Sequence, residues 1–180
     1  MSPNRILARL SRADFGLLEP NLEAVDLPVR KQLHPRNRRI EHVYFPKNGI
    51  ASVVTNDEHA LEIGIIGREG MTGVAIIMGS KERPLHETYI QVAGKGQRLP
   101  ATHLREAIKV SVTLHQSLLD YAHQFMTQMA DTALSNGCHK IEKRLARWLL
   151  LADDRLDNHE IPLIPLTSSS GLCSAPQDRV

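Results

Sequence analysis

Hydrophobic positions change period twice along this 180-residue chain. Over the first twenty residues they recur at helical spacing. Ser11 is placed to cap a helix with Asp14 at the third helical position, a weakened capping box, and Pro20 closes the run. From Leu22 onward the pattern is that of short strands, with Leu22, Ala24 and Leu27 expected to face one way and Glu23 and Asp26 the other. The runs His42-Val-Tyr-Phe and Ile50-Ala-Ser-Val-Val-Thr are joined by Pro46-Lys-Asn-Gly, and Asn-Gly between β-rich runs predicts a hairpin. A second hairpin is expected with its tip at Asn56-Asp-Glu, leading into Leu61-Glu-Ile-Gly-Ile-Ile. Further strands are expected at Glu87-Thr-Tyr-Ile-Gln-Val and Gln97-Arg-Leu, separated by Gly94-Lys-Gly. Several short strands with turn residues between them predict an antiparallel sandwich or barrel.

From Pro100 the period becomes helical. Pro100 suits a first turn, with Leu104, Ala107 and Ile108 as the apolar stripe. Ser111 is placed to cap a longer helix over 111–136, which Asn136-Gly137 would stop. Within it Leu118, Ala122, Phe125, Met129 and Thr132 alternate spacings of four and three, a heptad-like seam, and Leu114, Tyr121, Met126 and Ala133 form a second stripe. Two stripes need two surfaces. The Leu118–Thr132 seam is assigned to a second subunit and the other stripe to the β domain, the alternative being one wide stripe on one core. A final helix, 140–156, joins a basic face (Lys140, Lys143, Arg144, Arg147) to an apolar one (Ile141, Leu145, Trp148, Leu149). It either leads into a DNA-binding unit or packs on the core through Trp148 with its charges in solvent. Residues 161–180, with Pro162, Pro165, Ser168-Ser-Ser-Gly and Ala175-Pro, have neither period and are expected to be an irregular, disordered tail.

Composition adds bounds. A hydrophobic fraction of 42% with 23% charged residues is that of an ordinary globular protein, and a net charge of +2 argues neither for nor against nucleic acid. Cys138 and Cys173 lack metal-ligand spacing, which suits a reducing compartment and argues against a disulfide framework or an iron–sulfur cluster. No signal-peptide pattern and no spanning segment is seen, so a cytoplasmic protein without a membrane partner is expected.

Three motifs bear on chemistry. Gly67-Arg-Glu-Gly-Met-Thr-Gly73 is a glycine-rich loop whose N–H groups can converge on an anion beside Arg68, or which is simply a tight strand-to-helix connection. The basic stretch from Arg30 to Arg39 has no interleaved aromatics and reads as a solvated loop between strands, with phosphate contact as the alternative. The histidines are scattered: His59 and Glu62 have the wrong parity to share a strand face, and His115 and His123 lie two turns apart, so no metal site is expected. The one nucleophile with a neighbouring base is Cys138-His139 at a helix end, where adjacent residues point apart, and an enzyme is not expected.

Together, Ile40-Glu-His-Val-Tyr-Phe-Pro, Gly49-Ile-Ala-Ser-Val-Val, Ile63-Gly-Ile-Ile-Gly-Arg-Glu-Gly-Met-Thr-Gly, His86-Glu-Thr-Tyr-Ile-Gln-Val-Ala-Gly and Ile141-Glu-Lys-Arg-Leu-Ala-Arg-Trp-Leu-Leu-Leu-Ala-Asp-Asp-Arg-Leu resemble the Crp/Fnr family of bacterial transcription regulators, over residues 1 to about 160. The resemblance implies an α+β fold: an antiparallel β-roll of the cyclic-nucleotide-binding kind with short N-terminal helices, a long dimerisation helix and one further helix. It divides the chain into an effector-sensing roll (1–110), a dimerisation helix (111–136), the first helix of a DNA-binding domain (137–160) and the tail. The effector-pocket candidates it implies are Gly67, Arg68, Glu69, Gly70, Arg83 and His86. Two departures limit the match. Arg68 stands where cyclic-nucleotide binders carry Glu, and Arg83-Pro84 stands where they carry Arg-Ser or Arg-Thr, so cyclic AMP is not expected and the pocket holds another effector or none. The family's winged helix-turn-helix does not follow in the sequence, which suggests a frameshift near Ile161 to Pro165. The expectation is a sensing and dimerising portion, a homodimer, with weak DNA binding at most through Arg144 and Arg147. A stand-alone module forming mixed dimers and a β-barrel metalloenzyme are the other readings.

Overall fold

Two short capped helices lead into the sheets. The computed structural model describes residues 4–55 and 61–156. Asn4 accepts the N–H groups of Ile6 and Leu7 and so starts α1 (Arg5–Arg9). Ser11 accepts the Asp14 N–H at 3.0 Å and donates to its carboxylate at 2.8 Å, so the expected cap of α2 (Arg12–Leu18) is present. Pro20 lies inside a following 3₁₀ turn, Glu19–Asn21, rather than beyond the helix.

The strands form two antiparallel sheets. One has the order β1 (Glu23–Leu27), β7 (Gly94–Pro100), β3 (His42–Pro46). The other runs β2 (Gln32–His34), β6 (Glu87–Val92), β4 (Ile50–Val54), β5 (Glu62–Ile66). The architecture is a mixed helix and antiparallel roll, and among the described residues no sheet closes into a barrel. The expected hairpin between His42–Phe45 and Ile50–Thr55 does not exist, because β3 and β4 belong to different sheets. The 46–49 segment is instead a corner: Lys47 and Asn48 donate to Lys95 O, and Gly49, at φ +76°, approaches Val92 O too closely for a Cβ. An Asn-Gly signal marks the change of direction, and cannot say which strand will be met after it. The β4–β5 hairpin does form; its expected tip at 56–58 lies outside the described residues. In β1 the inward face is Val25 and Leu27, with Ala24 exposed, because Leu27 has the opposite parity to residues 22 and 24. The basic stretch 30–39, expected as loop alone, contains β2, paired to β6.

After β5 the chain passes through a four-residue helix, α3 (Val74–Ile77), and after β7 through α4 (Ala101–Val110) into the 27-residue α5 (Val112–Cys138), capped by Ser111 as expected. A last helix, α6 (Ile141–Asp153), follows. The core is built from both sheets and the inward faces of α3, α4 and α5: Phe45, Met71, Ile77, Leu99, Leu104 and Leu114 are fully buried. The seam assigned to a second subunit needs correction. Leu118, Ala122, Phe125 and Thr132 are buried within this one chain and Met129 packs against the same core, so these positions face the roll. The stripe assigned to the β domain is divided: Leu114 and Tyr121 are buried in the roll, whereas Met126 and Ala133 are exposed. The large apolar residues of α5 left in solvent are Val112, Leu119, Met126 and Leu134.

Candidate functional site at the junction of the Gly67–Gly70 loop with the last two helices

The glycine-rich loop between β5 and α3 is held from three sides. Arg5 N–H donates to Arg68 O at 2.7 Å, the Asn4 amide donates to Gly70 O at 2.8 Å, and the Tyr121 hydroxyl donates to Met71 O at 2.8 Å. The loop turns on itself through Gly70 N–H to Gly67 O, at 3.1 Å. Gly67 N–H, the group best placed to receive an anion, points at the loop's own Glu69 Oε1, 3.1 Å away. A resident carboxylate therefore occupies the position in which a ligand anion was expected. The glycines allow a close approach of neighbouring side chains. A Cβ on Gly67 would meet the Arg155 stem at 2.7 Å, and one on Gly70 would meet the Tyr121 ring at 2.5–2.7 Å.

Arg155, just past α6, completes the cluster. Its Nε donates to Glu69 Oε1 at 2.8 Å and its Nη1 to Leu151 O at 2.7 Å, with the side chain largely buried. Glu69 Oε2 is buried and has no hydrogen-bond partner among the described residues. Arg68 reaches in the same direction, to Asp154 O at 3.5 Å. The loop is thus fastened directly to the end of α6. Burial pushes the Tyr121 hydroxyl far up, so it stays a donor to Met71 O at all physiological pH.

A second contact anchors the body of α6. Its apolar face, Trp148, Leu151 and Ala152, packs with Leu156 on Ile50, Ile65 and Val92, the outer face of the four-stranded sheet. Beside this patch Glu62 receives Ser52 Oγ at 2.7 Å and a hydrogen bond from Trp148, with Arg147 close by. Burial pushes the Glu62 carboxyl up to about 7, against those hydrogen bonds and the charges of Arg147 and Arg155. Ser52 has one proton but faces both Glu62 Oε2 and Gln91 Oε1, so both contacts are satisfied only if Glu62 is protonated or Gln91 presents its amide. Arg147 donates to Thr132 Oγ1 at 3.0 Å and Gln128 O at 3.4 Å, and Gln128 Oε1 accepts Ile65 N–H. Strand β5, α5 and α6 therefore share one polar network, and Arg147, expected either near phosphates or in solvent, is spent within it.

The structure brings Gly67, Arg68, Glu69 and Gly70 together here but not Arg83 or His86. Arg83 lies beside the turn at residues 35–39, donating to Asn37 O at 3.3 Å, and His86 is exposed on the loop before β6. Glu62, Tyr121 and Arg155 were not singled out by sequence as site residues. Glu62 carried the one readable signal, a carboxylate inside an apolar run. Among the described residues no three His, Cys, Asp or Glu side chains cluster to hold a metal, and no helix is long and apolar enough to cross a membrane.

Neither a protein-family model nor a curated protein matches the sequence. Solved structures do. A candidate transcriptional regulator of the Crp/Fnr family from Eubacterium rectale is 15% identical, with 86% of this chain and 73% of that chain covered and a TM-score of 0.70. FixK2 from Bradyrhizobium japonicum is 14% identical over 76% of this chain and 68% of its own, at 0.64. The c-di-GMP-responsive global regulator CLP of Xanthomonas campestris is 12% identical over 79% and 72%, at 0.60. At this identity the likeness is one of fold, and this chain has the fold of Crp/Fnr-type regulators and cyclic-nucleotide-binding domains.

Proposed function

We propose that this chain is the sensing and dimerising part of a Crp/Fnr-type transcription regulator, working in the cytoplasm and without catalytic activity of its own. The observation that carries the reading is the seating of α6. The helix that follows the long α5 is held to the roll by Glu69–Arg155 at one end and by Glu62, Trp148 and Arg147 along its body. A change in the roll at the Gly67–Gly70 loop is thereby felt by α6, which is the physical requirement for passing a signal out of a sensor. In this reading residues 1–110 sense, 111–136 pair two copies, and 137–160 begin the DNA-binding unit.

Pairing uses the outward face of α5. Val112, Leu119, Met126 and Ala133 recur at seven-residue intervals on that face, and two copies related by a twofold axis would bury them against one another. The effector is a molecule other than cyclic AMP, or none: Arg68 replaces the expected Glu, Pro84 follows Arg83, and the loop N–H is occupied by Glu69. No described residue forms a winged helix-turn-helix, and the tail expected over 161–180 lies outside the described residues. With Arg147 tied to Thr132 and Gln128, DNA binding by residues 1–156 is weak, non-specific and salt-dependent.

Sedimentation of the purified chain, with a gel-shift titration at two salt concentrations, tests the proposal. The expected result is a dimer that dissociates on Met126→Glu and binds DNA weakly without sequence preference. A monomer at high micromolar concentration, or tight sequence-selective binding by residues 1–156 alone, would count against it.

A further inference from the structure

A concave site lies away from the junction and shares no residue with it. It is a cleft of about 380 Å³ between the turn at residues 35–39 and the loop carrying Arg83. That volume falls within the range of small-molecule pockets. Its floor is the buried Leu33 and Tyr44, and its wall is the half-buried His42. Tyr44 meets the His34 ring edge-on, with centroids 6.0 Å apart, and the His42 ring tilted at 6.5 Å.

The rim is cationic by construction. Arg38 and Arg39 come from one loop and Arg83 from the other, and the two loops are fastened together. Asn37 N–H donates to Pro84 O at 2.9 Å, Arg83 Nη1 donates to Asn37 O at 3.3 Å, and Asn37 holds the left-handed conformation (φ +58°) that the turn requires. Three arginines thus line a cleft whose lining contains one carboxylate, Glu41. Arg38 and Arg39 enter no ion pair among the described residues. Like charges held together by loop geometry repel, and an anion between them removes that repulsion while gaining charge-assisted, fork-shaped hydrogen bonds.

We propose that this cleft is a binding site for a small organic anion, a phosphate or carboxylate group on a planar or apolar body. The charged group sits between Arg38, Arg39 and Arg83, and the body lies over Tyr44, His42 and Leu33. A short, half-open cleft with an aromatic residue and a carboxylate in its lining fits a discrete small molecule better than a nucleic-acid backbone, which needs a continuous basic track. The inference stands independently of the regulatory reading above, since binding here requires neither pairing of α5 nor movement of α6.

The test is a titration of the whole chain with phenyl phosphate and with benzoate at low salt, followed by amide chemical shifts and calorimetry, with inorganic phosphate and benzyl alcohol alongside. The expected result is saturable binding of one or both aromatic anions, tighter than inorganic phosphate and absent for the alcohol. Shifts should be centred on residues 33–44 and 83. Arg83→Ala and the double variant Arg38→Ala/Arg39→Ala should each weaken binding by about tenfold or more, a loss of about 1.4 kcal/mol. These arginines are exposed, so the variants should melt like the parent, which separates loss of binding from loss of fold. The site is overturned if neither aromatic anion saturates, if the shifts map elsewhere, or if the arginine variants bind as the parent does.

Discussion

Glu69 and Arg155 stand 86 positions apart in the chain and meet at 2.8 Å between Oε1 and Nε. This pair joins the first loop after β5 to the end of α6, and so decides whether α6 is part of the roll or a separate arm. Removing one partner of a buried charge pair leaves the other uncompensated, at a cost of about 3 kcal/mol. Glu69→Ala is therefore expected to release α6 before the roll unfolds. Hydrogen exchange is the measurement: amides of residues 141–153 should lose protection while those of β4, β6 and β7 keep theirs. Uniform loss of protection throughout the chain would mean that α6 is no independent element.

The pH dependence of stability contains two opposed contributions. Glu62 has its carboxyl pushed up to about 7 from 4.5, chiefly by burial. Its contribution is fully present below the unfolded value and lost as pH rises through 7. His34 is held down to about 4 by burial and by His42, and its Nε2 lies 2.7 Å from Thr72 Oγ1, which also accepts the Tyr44 N–H and so has its own proton free to donate to a neutral imidazole. Its contribution is present above 6.5 and lost as pH falls toward 4. The two slopes oppose each other between about 4.5 and 6.5, so the parent protein should show a nearly flat denaturation midpoint there. Glu62→Gln should unmask a midpoint that rises with pH over this window, and His34→Gln one that falls. Chemical denaturation at several pH values reads both; identical profiles for the two variants would refute the assignment.

Local chemistry in the sequence foretold local structure. The caps at Ser11 and Ser111 and the β4–β5 hairpin follow from residues within a few positions of one another. What crosses the molecule was not legible. The Asn-Gly at 48–49 marks a reversal, yet β3 is completed by β7, about fifty residues later, because sheet pairing is a long-range choice. The stripes on α5 were visible, but their periodicity could not say how much of each meets the roll: Leu118 and Phe125 of one and Leu114 and Tyr121 of the other are buried in the same core, while Met126 and Ala133 are exposed. The glycine-rich loop was recognisable as a tight connection, while Arg155 and Tyr121, which fill it, carry no local signal of proximity.

Gly70 sets the seat of Tyr121. A Cβ there would lie 2.5 Å from the hydroxyl oxygen and 2.6 Å from the ring edge of a buried side chain that also stacks on Phe125 with centroids 6.2 Å apart. Gly70→Ala is expected to cost about 1–3 kcal/mol by overpacking. Tyr121→Ala removes the obstacle along with its own contacts, so the double variant should be more stable than the sum of the two single losses predicts. Thermal melts of the four proteins provide the cycle. Strict additivity would show that the loop accommodates a methyl group by moving away from Tyr121.

Whether the outward face of α5 pairs with a second copy can be decided by two substitutions of opposite character. Leu118 is fully buried against the roll and Met126, eight residues on, is half exposed at 53%. Leu118→Ala should open a cavity and lower stability by about 3 kcal/mol, with the protein that remains folded still pairing. Met126→Glu places a charge in solvent in the monomer and should leave a monomer's melting point within about 0.5 kcal/mol of the parent's. In a dimer built on Leu119, Met126 and Ala133, the same charge faces its own copy across the twofold axis and has to be desolvated, so the variant should sediment as a monomer. Met126→Leu, which keeps the apolar surface, should still dimerise. If Met126→Glu sediments like the parent, the outward face of α5 is not the pairing surface.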